Sequence, residues 1–376
     1  MVTRMLKQIK TNTEGTLARI QALSYPRLSN YRSFFGAAND AEALGLYKWN
    51  DDLSAVLFRI ISLVEVVLRN QFHHAMSLRY GTAGGHGSRD WYAHVALGAH
   101  SKSKIMDITH CRRGQRMLPR VPAPSPDDVV SGLTFGFWPH LLDLKKDLRH
   151  QAVSWGHILV DVLPGHRQRQ ITYWTKPKHR DALFARLDLC NALRNRIAHH
   201  EPIWKLGPLM REGRARSGSP LNMQASAPST PADALTRLRL LYCRVTELLD
   251  WLSPAVATHH STSELHLRCL NLLQPETLRT YRQALPPAEI DFATIANMRT
   301  LRKALRYAAR RRQPVLLKDG HRQVGYLTCA TPCTDYRAAG EAAGMYAVSE
   351  SACIDIARRA DNGPFRTPTP KNSERD

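Results

Sequence analysis

The chain has 376 residues, enough for two domains or for one large domain with an appendage. Its hydrophobic content of 43% is ordinary for a chain with a real core, but 53 Lys+Arg against 32 Asp+Glu leave a net charge of +21. That surplus points to a polyanionic partner, since Lys and Arg contacts to phosphates release condensed counterions; the alternative is a basic protein with no nucleic-acid role. Seven cysteines without a compact framework argue against a secreted disulfide protein. Cys329 and Cys333 are the only close pair and lack a matching pair at finger spacing, so neither a zinc site nor another cofactor is expected. Residues 1–10 alternate basic and apolar side chains without a signal core, which places the chain in the cytoplasm.

Strand signals are rare before residue 310, so the expected fold class is mainly α, a helical body followed by a smaller α+β part. The first clear helix spans 51–78: Leu53, Val56, Leu57, Ile60, Ile61, Val64, Val67, Leu68 and Phe72 follow the i, i+3/i+4 rule. Between 60 and 68 it is apolar on nearly every side, which suits a central helix. Arg59 and Glu65 make it a buried helix rather than a membrane span. Glycines at 81–87 break it, and a proline-rich connection at 119–126 offers Ser125 or Asp127 as the cap of the next helix. A second strong helix is expected over 179–200, stopped by Pro202, which disfavours the helical conformation at Glu201. Residues 211–232 read as a mobile loop, and helical spacing resumes over 234–252. The domains expected are therefore 1–260, helical, and 261–376, basic and α+β, with a polar, disordered tail from 362.

The second helix carries the candidate chemistry. At about 100° per residue, Leu189, Cys190, Leu193 and Ile197 form a buried stripe, while Arg194, Asn195 and His199 share the opposing arc. His200 falls on the Leu189/Leu193 side, so His199 is preferred over it. One face thus offers a permanent cation with a planar donor fork, an amide and a group titrating near neutrality. RNA cleavage needs a base for the 2′-hydroxyl proton and a cation for the charge growing on the phosphate, and this scheme uses no metal. The alternative is a surface helix with solvated Arg and His. Glu65 and Arg69, one turn apart in an apolar run, read as an internal ion pair or as a pair in which Glu65 orients Arg194 or Arg69. Two further pairs, His73-His74 and His259-His260, lack acidic or cysteine companions and are expected on the surface.

Arg194-Asn195-x-x-Ala198-His199-His200 resembles the Arg-Asn-x-x-Ala-His signature of HEPN ribonucleases, and its surroundings resemble the Abi (abortive infection) type. Leu46-Tyr47-Lys48-Trp49-Asn50-Asp51, leading into Glu65-Val66-Val67-Leu68-Arg69-Asn70, is similar to that family's first long helix. Tyr25-Pro26-Arg27-Leu28-Ser29-Asn30-Tyr31, Tyr80-Gly81 with Trp91-Tyr92, and Leu133-Thr134-Phe135-Gly136-Phe137-Trp138 resemble further segments, so the likeness covers roughly 20–255. It implies an all-helical fold, a symmetric homodimer joining two motifs in one cleft, and RNA cleavage that arrests an infected cell, with Arg194 and His199 catalytic and Asn195 supporting. Glu65, Arg69 and His200 would stand behind them. An antitoxin or non-coding RNA partner is also implied. The chain departs from the family in its short N-terminal lead, the stretch at 211–232 and the added C-terminal region.

In that region Arg302, Arg306 and Arg310 recur every fourth residue, opposite Leu301, Leu305 and Ala308, on a helix expected over 295–312. A hairpin with its turn at Asp319-Gly320 follows. Residues 292–330 are similar to the N-terminal half of prevent-host-death antitoxins, which bind DNA as dimers. A solvated charged face and a nucleic-acid grip remain as alternatives. Beside the ribonuclease, the rival readings are an RNA-binding module that does not cut and a DNA-binding regulator working through this helix.

Overall fold

The computed structural model describes residues 18–84, 87–215, 220–283, 288–295, 297–310 and 315–327, all within one unit, 1–329. The basic stretch at 1–10, Cys329, Cys333 and Cys353, and the tail from 362 lie outside the described residues. Helix dominates, with short strands in small sheets.

Helix α1 (Tyr25–Phe35) leads to α2 (Asp40–Tyr80), 41 residues long. Helix α2 starts three turns before the expected position because Asn39 caps it, accepting a bond from the Glu42 N–H at 3.0 Å. Asp40 and Glu42 in its first turn complement the helix dipole. Ala43, Leu46, Trp49, Leu53, Leu57, Ile60, Ile61, Val64, Leu68 and Phe72 are buried along it. Burying each large side chain of this kind is worth about 1.5–3 kcal/mol, which makes α2 the axis on which the other helices pack.

A 3-10 turn (Trp91–Ala93), α3 (Ala99–Thr109) and a hairpin of β1 (His110–Arg113) and β2 (Arg116–Pro119) follow. Of the two cap candidates Ser125 starts α4 (Pro126–Gly132), in a capping box with Asp128. Helices α5 (Phe137–Leu141), α6 (Trp155–Val162) and α7 (Ile171–Thr175) lead to α8 (Pro177–Ala198), with Pro at its start, where a missing N–H costs nothing. Strands β3 (Leu209–Met210) and β4 (Met223–Ala225) pair antiparallel ahead of α9 (Pro231–Leu252), which Thr230 and Asp233 cap reciprocally.

The stretch read as a mobile loop is pinned where it is described. Glu212 holds the buried Arg186 guanidinium through two bonds and lies 3.5 Å from Arg244, and Glu247 takes a third bond from Arg186 at 2.7 Å. Arg214 pairs with Asp143 and stacks 3.4 Å above the Phe184 ring. Arg186 on α8 and Arg244 on α9 are buried close together and need counter-ions, and the segment after β3 supplies one.

Helices α10 (Pro254–Ser261), α11 (Glu264–Leu272) and α12 (Pro275–Arg282) belong to the same core, so the expected boundary at 260/261 falls inside a packed layer. The Trp49 indole donates to the Leu272 carbonyl at 2.8 Å, the Tyr281 hydroxyl to Asp52 at 2.6 Å, and Arg282 to Glu42 at 2.8 Å. A separate small core of Ile290, Ala308 and Val315 begins after them. There β5 (Ala288–Asp291) runs parallel to β6 (Val315–Asp319) across α13 (Met298–Arg310), and β6 pairs antiparallel with β7 (Arg322–Leu327). The expected hairpin is present, its turn at Gly320 with φ 60°, a left-handed value that glycine takes freely. Among the described residues no helix is long and apolar enough to cross a membrane.

His73 and His260 are not on the surface as expected. Both are buried because other segments satisfy them: Trp91 donates to His73 Nδ1 at 2.9 Å, and the Tyr242 hydroxyl lies 3.0 Å from His260 and 2.7 Å from His266. Burial pushes the His260 pKa down to about 4 and lowers those of His73, His166 and His266. The unfolded chain protonates its histidines near the ordinary 6.5 and so takes up protons first as pH falls. Stability from these rings is complete above that value and declines until His260 itself protonates near 4. The melting temperature is therefore expected to hold steady at about pH 7–8 and to fall between about pH 6.5 and 5, with His260→Asn reducing the slope. A melting temperature unchanged across that interval would contradict the burial of neutral histidines.

Candidate functional site

Helix α8 ends one turn before Pro202 in a defined way. His199 is its C-cap, with φ −89° and ψ 8°, and His200 follows at φ 55°. The His200 N–H donates to the Ile197 carbonyl and the Glu201 N–H to the Arg196 carbonyl, both at 2.9 Å. This bond pair with a left-handed residue is the Schellman arrangement, in which glycine normally holds the place that His200 takes here. The expectation that His200 faces the buried Leu189/Leu193 flank is thereby corrected. The helical step no longer applies beyond Ala198, and His200 is exposed. Leu189 is only half-buried; with Asp188 and Arg196 it walls a cavity of about 380 Å³ between α8 and β3. The buried stripe runs instead through Leu183, Leu187, Cys190 and Leu193. Burial pushes the Cys190 thiol up to about 12, which removes it as a nucleophile near neutrality.

The site's other face carries Arg194 and Asn195, which the structure joins directly: Arg194 Nη1 donates to Asn195 Oδ1 at 3.2 Å. Both are half-buried. His199 stands one turn on, exposed, its backbone N–H bonded to the Asn195 carbonyl at 2.9 Å and its ring without a hydrogen bond among the described residues. Other arginines of α8 are compensated. Arg186 has Glu212 and Glu247, and Arg196 has Glu201 at 3.4 Å together with the Pro202 carbonyl at 3.0 Å. Among the described residues Arg194 has no carboxylate partner.

Two side chains that carried no assigned role fix the end of this helix. Arg27, on α1, donates to the His200 carbonyl at 3.0 Å. Asn50, buried on α2, accepts the Ile203 N–H at 3.0 Å and so satisfies a backbone donor just past Pro202. Tyr31 and Trp204 pack edge to face behind them, with ring centroids 5.5 Å apart. Neither Arg27 nor Asn50 is recognisable by spacing, since their partners lie some 150 or more residues away.

Glu65 pairs with Arg69 at 3.1 Å and makes no bond to Arg194 among the described contacts. Arg69 reaches across to the carbonyls of Ser131 at 2.8 Å and Leu133 at 3.5 Å. Glu65 therefore orients Arg69, and Arg69 holds the Leu133-Thr134-Phe135-Gly136 segment in place. That segment runs to Asn191, whose side chain lies 3.5 Å from where a Cβ on Gly136 would sit. Asn191 is one turn before Asn195 on the same polar face, a repeat of asparagine at i and i+4 that the sequence displays.

Arg302, Arg306 and Arg310 are exposed along α13, while Leu301, Leu305 and Ala308 face its small core. The structure keeps them on a separate element from Arg194 and His199. Among the described residues no group of three or more His, Cys, Asp or Glu side chains stands together to hold a metal ion.

A left-handed histidine carries strain that glycine would remove. His200→Gly is expected to raise unfolding free energy by about 1 kcal/mol, the left-handed penalty less the freedom glycine gains in the unfolded chain. Denaturant midpoints at constant slope measure this, and a lowered midpoint would contradict the left-handed cap. Comparison of the chain with protein-family models, curated proteins and solved structures finds no match, so the chemistry of this site has to be read from its own geometry.

Proposed function

We propose that the chain is an endoribonuclease of the Abi type, its helical body resembling the HEPN fold, acting on RNA in the cytoplasm in defence against phage or as a toxin. The observation that carries this reading is the guanidinium of Arg194, held by Asn195, without a carboxylate partner among the described residues and one helical turn from the exposed His199 imidazole. On a protein of net charge +21, an uncompensated cation beside a free base suits a phosphodiester substrate.

In this reading the His199 ring takes the proton from a ribose 2′-hydroxyl, and the freed oxygen attacks the adjacent phosphorus. Arg194 donates to the non-bridging oxygens as charge builds there, and Asn195 keeps the guanidinium directed. The P–O5′ bond breaks, leaving a 2′,3′-cyclic phosphate and a 5′-oxygen that must gain a proton. Each chain offers one such base, so a two-fold homodimer would supply the second group from the partner copy. An antitoxin or a non-coding RNA would then act by covering this face.

A second reading, an RNA-binding protein that does not cut, is favoured by the exposed Arg302, Arg306 and Arg310 stripe on α13. Kinetics on a labelled RNA separate the two. His199→Ala and Arg194→Ala are each expected to lower the cleavage rate by roughly a hundredfold or more, with His199→Ala leaving RNA affinity within about twofold. Cleavage by the His199→Ala protein at the wild-type rate would remove His199 as the base. Wild-type protein that binds RNA and never cuts it would favour the second reading.

A further inference from the structure

Beside the α13 stripe, the β1–β2 hairpin is a second strongly charged exposed feature outside the site. From residue 108 to residue 126 the chain has no Asp or Glu, yet it carries Arg112, Arg113, Arg116 and Arg120. All four are exposed, and none forms an ion pair among the described residues. Arg113 and Arg116 are register partners, directly opposite across the ladder, where like charges destabilise the pairing. Arg112 and Arg120 each spend only their Nε on a backbone carbonyl, of Gly114 and His110, both at 3.2 Å, which leaves the outer guanidinium nitrogens free. Met117 and Leu118 on the second strand are 43% and 41% exposed.

A two-stranded hairpin is marginal by itself, and here neither packing nor charge pairing favours it. Its base is nevertheless well anchored. The Arg120 N–H closes on the Thr109 carbonyl at 2.9 Å, and Ile108 packs 3.0 Å from where a Cβ on Gly132 would sit. Gly132 lies between Ser131 and Leu133, the two residues whose carbonyls bind Arg69. The base of the arm therefore packs against Gly132, four residues before the Gly136 that meets Asn191 on α8. Strands of four residues extend about 13 Å, room for more than one phosphate contact along a strand of RNA.

We infer that the β1–β2 hairpin is an RNA-holding arm, in which Arg113 and Arg116 on one face bind the phosphates of a single-stranded substrate, while Arg112 on the opposite face and Arg120 at the base add to the positive field. Leu118, on the same face as Arg113 and Arg116, offers an apolar surface to its bases. The placement of that strand relative to Arg194 rests on the function proposed above; the arm's binding of RNA does not. Opposed arginines with free donor forks match the closely spaced anions of a phosphodiester chain, and bound phosphates would relieve their mutual repulsion.

The full chain is titrated with a fully 2′-O-methylated single-stranded RNA, which cannot undergo 2′-hydroxyl attack, over a range of salt concentrations. Changing Arg113→Gln and Arg116→Gln together is expected to weaken binding on the order of tenfold and to flatten the plot of log K against log salt by about 1.4, two contacts at about 0.7 each. Changing both to Lys should keep the slope, and the thermal melt of neither variant should fall below wild type, since the side chains are exposed and the Gln pair removes a like-charge opposition. An unchanged slope in the Gln protein would overturn the arm, as would wild-type protein that binds anionic lipid vesicles and not this RNA. A flattened slope in a protein that never cleaves unmodified RNA would support the arm while the nuclease reading fails. Active cleavage with an unchanged slope would do the reverse.

Discussion

Pro202 has no backbone N–H and disfavours the helical conformation at Glu201, so α8 must stop just before it. The rest of the candidate site depends on where and how that stop is made. The left-handed His200 turns the chain away, Arg27 takes its carbonyl, and Asn50 takes the next free donor at Ile203. Asn50 adjoins Trp49, whose indole holds the Leu272 carbonyl, so neighbouring residues of α2 fix both the end of α8 and the later helices. His199, still bonded to the Asn195 carbonyl as in a regular helix, stands exposed one turn beyond Asn195, while Arg194 and Asn195 are half-buried. A straight continuation of the helix would have turned His200 toward the protein.

The arginines differ in how they are compensated, and among the described residues buried Arg237 is held by the Gly207, Ala225 and Ser226 carbonyls alone. Arg186 and Arg244 are buried and matched by Glu212 and Glu247, and Arg69 is matched by Glu65, as the cost of burying an unpaired ion requires. Those arginines serve structure: they tie the segment after β3 to α8 and α9, and the 131–133 turn to α2. Arg194 and the hairpin arginines lack such matching among the described residues. Cations held without counter-ions at partly or fully exposed positions are what a phosphate-binding surface consists of before its ligand arrives.

Much of the fold was legible because periodicity is local. The spacing from Leu53 to Phe72 marked the central helix, Ser125 marked a helix start, and Asp319-Gly320 marked a hairpin turn. Features that depend on distant partners were not legible. The first turns of α2 bury Ala43, Gly45, Leu46, Trp49 and Asn50, of which only Leu46 and Trp49 are large and apolar, and β5 is four residues whose parallel partner lies beyond a helix. His73 and His260 look like surface residues until Trp91 and Tyr242 arrive from elsewhere in the chain. Within the site, the shared arc of Arg194 and Asn195 was readable from the helical step, but their direct contact was not, since adjacent positions point about 100° apart. The cap geometry at His200 was hidden because histidine, unlike glycine, does not announce a left-handed position.

The most direct test of the central claim is the chemistry of the cut ends. An RNA with a single 2′-O-methyl group at its preferred cleavage position, compared with the unmodified strand, reports whether the 2′-hydroxyl attacks. The account predicts that the unmodified strand yields a 2′,3′-cyclic phosphate and a 5′-hydroxyl, and that the methylated position survives. Cutting at the methylated position, or products ending in a 3′-hydroxyl and a 5′-phosphate, would contradict a site built on Arg194 and His199.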